Sequence, residues 1–290
     1  MMVRLVMVML RRSETDIYVP DGVPALGALQ RTTHLGIGAH QDDLEIMAFH
    51  GIAACCRRKN LWFTSITLSD GASSPRKGSF ARVSKNEMKQ IRRLEQRQAA
   101  RIGRYSAAVQ LGYPSREVRN VRNRELQTNL REIFLACRPK WVYTHNLADK
   151  HSTHVAVAIH VIQAFRSIPP SAHPERLYGC EVWRSLDWLP DDRKIALDVS
   201  GNLPLARKLL GVFRSQIAGG KRYDLATLGR RRANATYHQS RVVDAADALT
   251  FALDLTPLLR DKSLDPLTYA VSFANRLRQD VASRIRELRR

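Results

Sequence analysis

The segment His34-Leu-Gly-Ile-Gly-Ala-His-Gln-Asp-Asp-Leu-Glu45 runs from an apolar stretch of strand character into a histidine and two adjacent carboxylates, and a helical pattern follows at once. Adjacent carboxylates repel each other and are costly to bury unless something neutralises them. Strand, polar turn and helix in this order open a βα unit, and the alternation continues downstream. Strand patterns occupy 34–40, 62–68, 106–112 and 141–145; helical patterns occupy 43–58, 85–104, 124–137 and 152–166.

Such alternation predicts an α/β fold of Rossmann-like type, a mostly parallel sheet with helices on both faces. The binding crevice of such a sheet lies beyond the carboxyl ends of the strands, where strand order switches. Two polar clusters fall just past strand ends: residues 40–43 after the first strand and 145–154 after the fourth. The expected organisation is an N-terminal extension at 1–33, a catalytic core at 34–185, and a C-terminal portion at 186–290. A strand region is expected near 177–183, towards the end of the core, and the last portion is expected to complete the same domain and the substrate pocket.

The chain has 290 residues with 44% hydrophobic composition, enough for a sizeable core. No apolar run reaches the ~18 residues of a spanning helix, so no membrane span is expected. The run MMVRLVMVML at 1–10 is short, is followed by Arg11-Arg12 and lacks a small-residue cleavage site. It reads as an N-terminal strand or a mis-assigned start rather than a signal peptide. Cys55, Cys56, Cys137 and Cys180 form no CxxC pair, which is the usage of a reduced, cytoplasmic protein.

The net charge of +20 admits nucleic acid, a membrane surface or an anionic substrate as partner. The arginines are scattered through 82–104, 116–131, 221–232 and 276–290, with no nucleic-acid motif and no aromatic interleaving. A solvated basic surface without a specific nucleic-acid partner is the expectation. The amphipathic tail at 266–290 either docks on the core or pairs subunits into a homo-oligomer; its apolar positions do not choose between the two.

His151 and His154 stand three apart at the start of a helix whose next residues are almost all apolar. That spacing puts both rings on one side of the first turn, and the apolar run buries the helix against the sheet, so the first turn opens onto the crevice. One histidine and one carboxylate from the first loop, with one histidine from this helix, compose a three-ligand site of the kind that holds a catalytic zinc ion. A divalent ion would also neutralise the paired carboxylates, leaving one aspartate to ligate and the other to take a proton. Asp-Asp before a helix is also explained by capping, but capping accounts for neither His40 nor the later histidine pair. His34, His50, His160 and His173 carry no assigned role.

The segment Gly38-Ala-His40-Gln-Asp42-Asp43-Leu-Glu45 resembles the AHPDD-E signature of the PIG-L/LmbE-like N-acetylglucosaminyl deacetylases. Thr144-His-Asn-Leu-Ala-Asp149-Lys-His151-Ser-Thr-His154 is similar to that family's HN-x-x-D-x-H-x-x-H segment. Arg92-Arg-Leu-Glu95 followed by Ala99 resembles its R-x-x-E-x-x-x-A helix, and Leu68-Ser-Asp70-Gly71 falls where it has a Thr/Ser-x-Gly loop.

The resemblance implies a Zn2+ cofactor, with another divalent metal as the alternative, and ligands His40, Asp43 and His154. It implies Asp42 as general base and His151 as the group supporting the transition state. Arg92 matches a position near the sugar, and Asp149 is counted with it on the substrate side. Two departures stand out. Gln41 replaces the usual proline, which is expected to loosen the loop slightly. Thr153 replaces the acid that usually orients the supporting histidine, with Asp149 as its candidate substitute. On the helix at 85–104, Arg92 and Glu95 fall on the inner face, either as a structural ion pair or as part of the site, and Arg93, Arg97 and Arg101 fall mainly outside it.

The implied activity is hydrolysis of the N-acetyl amide of an N-acetylglucosamine-type amino sugar. The water is activated by the metal and Asp42, and the oxyanion is stabilised by the metal and a protonated His151. Two alternatives are carried: an amidase acting on a larger conjugate or antibiotic precursor, and a catalytically impaired basic binding protein on the same scaffold.

Overall fold

The computed structural model describes residues 12–289, so the apolar run at 1–10 lies outside the described residues. Eight strands are found among them: β1 (Asp16–Tyr18), β2 (His34–Gly38), β3 (Phe63–Ser69), β4 (Ala107–Tyr113), β5 (Trp141–His145), β6 (Arg176–Cys180), β7 (Lys194–Asp198) and β8 (Leu249–Asp254). They form one sheet in the order β1-β4-β3-β2-β5-β6-β8-β7. The pairs β2/β3, β3/β4, β2/β5 and β5/β6 are parallel; β1, β8 and β7 join antiparallel. Every residue of β2, β3 and β4 is buried, which is the signature of strands covered on both faces.

The covering helices are α1 (Ala25–Gln30), α2 (Asp43–Met47), α3 (Phe49–Arg57), α4 (Lys85–Gly103), α5 (Ser115–Val118), α6 (Arg124–Cys137), α7 (Ser152–Arg166), α8 (Leu203–Gly211), α9 (Arg214–Ala218), α10 (Tyr223–Tyr237), α11 (Pro257–Arg260) and α12 (Pro266–Leu288). Two apolar layers result. Leu29, Leu130, Phe134, Val161 and Phe165 of α1, α6 and α7 pack on Leu35, Ile37, Val109 and Val142, with the Phe134 and Phe165 rings stacked at 4.0 Å. Leu44, Ile52, Ala99 and Leu209 of α2, α3, α4 and α8 pack on Phe63, Ala108 and Tyr143. Consecutive residues Val142 and Tyr143 thus serve opposite layers, as the two-residue period of a strand requires.

Local chemistry sets the helix ends. Ser84 and Glu87 form a reciprocal capping box at the start of α4, and Arg104 closes it in the left-handed conformation. The expected helix at 43–58 is divided at Ala48, whose backbone (φ −105°, ψ 16°) leaves the helical region. Residues 13–33 hold more structure than a lead-in: β1 pairs along the sheet edge with β4, and Arg97 holds Asp16 there. A three-residue strand is too short to show a period, so no pattern marks it in the sequence.

The C-terminal portion adds two strands to the same sheet, with β8 between β6 and β7. The start of α12 is anchored by buried Phe273, by Tyr269 Oη donating to the Asp254 carbonyl at 2.6 Å, and by Arg276 pairing with Asp192. Farther along, Val281, Ile285 and Leu288 are exposed. No helix among the described residues is long and apolar enough to cross a membrane. The histidines without a role are packing groups: His34 stacks on Trp141, His50 bonds the Tyr143 hydroxyl, and His160 and His173 meet backbone carbonyls.

The approach of α2 to β2 is close. A Cβ on Gly36 would lie 2.7 Å from Phe63 Cζ and 2.9 Å from Leu44 Cδ2. Gly36→Ala is therefore expected to cost about 1–3 kcal/mol by overpacking, read as a lower denaturant midpoint with unchanged slope. An unchanged midpoint would show that this helix has room to move off the sheet.

Candidate active site

β2 and β5 are the neighbours from which the chain winds in opposite directions, to β3 and β4 on one side and to β6 on the other. The loops leaving their carboxyl ends diverge and leave a crevice between them. The turn at residues 39–42 descends from β2, and the segment 146–151 leads from β5 to α7.

His40, Asp43 and His154 offer ligand atoms that all lie within 4.8 Å of one another. His40 Nδ1 is 3.3 Å from His154 Nε2 and 3.3 Å from Asp43 Oδ2, and His154 Nε2 is 3.4 Å from Asp43 Oδ1. Bonds of about 2.0–2.1 Å to a tetrahedral zinc ion subtend ligand separations of about 3.3–3.4 Å. The Asp43 distances use both of its oxygens, and the donor set of two imidazole nitrogens and one carboxylate suits a divalent ion. These residues fit a metal centre.

Each of the three candidate ligands has a neighbour behind it. Asp43 Oδ2 accepts the His40 amide at 2.6 Å. Burial alone would raise the Asp43 carboxyl, but the His154 and His145 rings beside it hold it well below the ordinary range. Asp149 Oδ1 lies 3.5 Å from His154 Nδ1, the carboxylate–histidine pairing that turns the opposite nitrogen toward a metal. Burial would lower His154, yet Asp43 and Asp149 raise it overall. Asp149, expected on the substrate side, is instead a buried brace: it also accepts the amides of His151 at 2.8 Å and Trp183 at 3.1 Å. Its position two residues before His151 turns it under the histidines and away from the cavity.

Asp42 sits beside the triangle in a left-handed conformation (φ 93°) that is uncommon outside glycine. Its Oδ2 accepts from Arg92 Nη2 at 3.0 Å. Burial pushes its carboxyl up to about 6, with Arg92 acting in the opposite direction. Arg92 also donates to the Gln41 carbonyl and, through Nη1, to Glu95 Oε2 at 3.0 Å. Glu95 in turn accepts from the Ser215 amide and hydroxyl, each at 2.7 Å. The two roles weighed for Arg92 therefore coincide: its guanidinium belongs to a buried ion-pair chain, and that chain ends on Asp42.

Gln41 does not loosen the turn. Its side-chain amide donates to Ser69 O and to Gln110 Oε1, each at 3.2 Å, so hydrogen bonds replace the rigidity of a proline. Gly71 packs against it at φ 73°, where a Cβ would fall 2.7 Å from Gln41 Oε1.

His151 is the N-cap of α7, and its Nδ1 accepts the Thr153 amide at 3.3 Å. A neutral ring in this arrangement carries its proton on Nε2. Burial, then the neighbouring His154 and His40, lower its pKa to about 4, so it is neutral at pH 7 and not the cation anticipated from the sequence. His145, quoted within the motif but given no role, completes the cluster. It stacks on His154 at 3.8 Å, lies 3.3 Å from Asp43 Oδ2 and accepts the Ala39 amide at 3.0 Å. Its position as the last residue of β5, where the strand meets the polar segment, was the available signal.

His40, Asp42, Asp43, Arg92 and His151 line a cavity of about 750 Å3. Its outer wall comes from the C-terminal portion through Trp183, Lys221, Tyr223, Arg230 and Arg231. Trp183 and Lys221 lie in irregular segments and Tyr223, Arg230 and Arg231 on α10, and no spacing tied them to the motif.

Solved structures share this fold. The 4-carboxy-2-hydroxymuconate hydratase GalB from Pseudomonas putida KT2440 is 17% identical over 77% of this chain and 95% of its own, with a TM-score of 0.58. The N,N'-diacetylchitobiose deacetylase from Pyrococcus horikoshii is 16% identical over 82% and 85%, with a TM-score of 0.57. The zinc-inhibited form of teicoplanin deacetylase Orf2 is 15% identical over 77% and 97%, with a TM-score of 0.52. No curated protein matches the sequence. A family model described as PIG-L, GlcNAc-PI de-N-acetylase, matches residues 35–165, the segment that contains both loops, and that match supports a PIG-L/LmbE-like family.

Proposed function

We propose that the protein is a zinc-dependent N-deacetylase acting on an N-acetylglucosamine-type amino sugar or its conjugate. The observation that carries this reading is the triangle of His40, Asp43 and His154 with a further carboxylate, Asp42, beside it. The family description and the deacetylases among the similar structures support it. The fold alone does not, since one of those structures is a hydratase.

A zinc ion held by His40, Asp43 and His154 supplies Lewis acidity toward an amide carbonyl and a water of lowered pKa. Asp42, poised near 6, takes the proton from the attacking water and is then the acid that returns it to the leaving nitrogen. Water adds to the carbonyl carbon, the C–N bond breaks, and acetate and a free amine leave. Arg92 fixes the Asp42 carboxylate in place. Neutral His151 offers its Nε2–H to the oxyanion, and Asp149 orients His154.

A larger amide conjugate is the second reading. A cavity of about 750 Å3 exceeds a single sugar, and the similar structures include an A40926 pseudoaglycone deacetylase. The impaired-binder reading draws on Thr153 and the net charge of +20, and Asp149 weakens the first support by supplying a buried carboxylate beside His154. A cytoplasmic location is part of the proposal and rests on four free cysteines.

Asp42→Asn, a residue type that tolerates the left-handed backbone, should keep bound metal while amine release falls at least about a hundredfold. Asp43→Asn should lose the metal as well. Equal metal loss in both, by elemental analysis after loading with zinc or another divalent ion, would mean the two roles are exchanged. The base form of Asp42 exists above its pKa, so kcat/KM should rise with pH through about 6 and then level off. A flat profile between pH 5 and 7 would remove Asp42 from the role of base.

A further inference from the structure

Past Phe273, α12 runs almost wholly in water. Phe273 is its one buried residue, and among the described residues that follow Ala282 is half-buried and all others are exposed. A helical stretch of this length is marginal in water without packing. It also carries an apolar stripe: Leu277 is 36% exposed, Val281 and Ile285 48% each, and Leu288 89%. At roughly 100° per residue, these four and Ala274 fall within an arc of about 80°. The side held by the domain, through Tyr269, Phe273 and Arg276, lies about a third of a turn away. The stripe is therefore free while the start of the helix stays docked. An arc this narrow is the seam of a helix pair rather than the broader face that a helix lays on a core.

The stripe reads the same in both directions. Leu277 and Ile285 stand four residues before and after Val281, and Ala274 and Leu288 stand seven before and after. A two-fold interface needs this self-complementarity, in which residue i meets j and j meets i. Reversal sets Val281 on Val281, Leu277 on Ile285 and the small Ala274 on the large Leu288. The charges at its edges fit the same arrangement. Arg284 pairs with Asp280 of its own helix at 3.1 Å, and reversal brings it close to Asp280 of the second copy as well. Arg278, on the other edge, meets the apolar Ile285 of the second copy, where its stem can lie while its head stays in water. A parallel pair would bring like residues level, Arg278 on Arg278 and Arg284 on Arg284.

We infer that α12 docks on α12 of a second copy, antiparallel about a two-fold axis at Val281, through Ala274, Leu277, Val281, Ile285 and Leu288. The pairing is independent of the hydrolase reading. Each chain carries a net charge of +20, so the two copies repel at long range and salt strengthens the dimer. An acidic partner on the same stripe would respond to salt in the opposite sense.

The test is sedimentation equilibrium of the full-length chain over a range of micromolar concentrations, at low and high salt. The mass should rise to twice that of one chain, at lower concentration when salt is high. Val281→Asp and Ile285→Asp, both at exposed positions, should keep the parent circular dichroism and stay monomeric. Val243→Asp, at a valine 90% exposed outside the helix, should dimerise as the parent does. Asp280→Arg should weaken the dimer by about tenfold, and adding Arg284→Asp should restore it. Under oxidation, Ala274→Cys protein mixed with Leu288→Cys protein should cross-link, and neither should cross-link to itself.

A mass that stays at one chain, or passes to three or more, overturns the inference. So does a dimer that survives Val281→Asp, or one in which Ala274→Cys joins Ala274→Cys. Monomeric protein that instead sediments with phosphatidylglycerol vesicles, released by salt and lost in Val281→Asp, overturns it in favour of an anionic membrane surface as the occupant.

Discussion

Two adjacent carboxylates held almost out of water are the constraint from which the site follows. Asp42 and Asp43 are 6% and 3% exposed, and like charges in a poorly solvated place must be balanced separately. The structure divides the task. A guanidinium faces Asp42, and imidazoles surround Asp43. The left-handed turn at Asp42 separates the two side chains, so the pair meets different partners, a guanidinium at Asp42 and imidazoles at Asp43.

Balancing Asp42 recruits distant parts of the chain. Arg92 comes from the middle of α4, Glu95 from its next turn, and Ser215 from α9. The first βα loop, the longest helix on that face and the C-terminal portion are thus joined through one buried guanidinium. Arg92 Nη1 and Nη2 and the Ser215 amide and hydroxyl each have a buried acceptor, and removing one partner would strand the rest. Asp149 plays a similar part on the other side by linking α7 to the Trp183 amide.

The strands and helices that flank the metal loops were legible in the sequence because they are long and regular. The helices at 124–137 and 152–166 and the strand at 141–145 occupy the spans their patterns indicate. The histidines and aspartates converge because parallel strands place their carboxyl ends along one edge. Other features left no trace. β1 is too short to carry a period, and β8 joins a sheet whose other members lie far earlier in the chain. The tie of Gln41 to Gln110 and the burial of Arg231 depend on residues 69 and 186 positions away, and no local pattern encodes such partners.

The place of β8 carries a consequence for how the molecule is assembled during synthesis. The last strand made lies inside the sheet, between β6 and β7, so β7 must wait for residues 249–254 before it has a neighbour. The ribosome releases β2 to β6, with both metal loops, well before that. A nascent chain therefore completes the His40, Asp43 and His154 corner while the far wall of the crevice is still unbuilt, and the order of translation separates the proposed ion site from the proposed substrate wall.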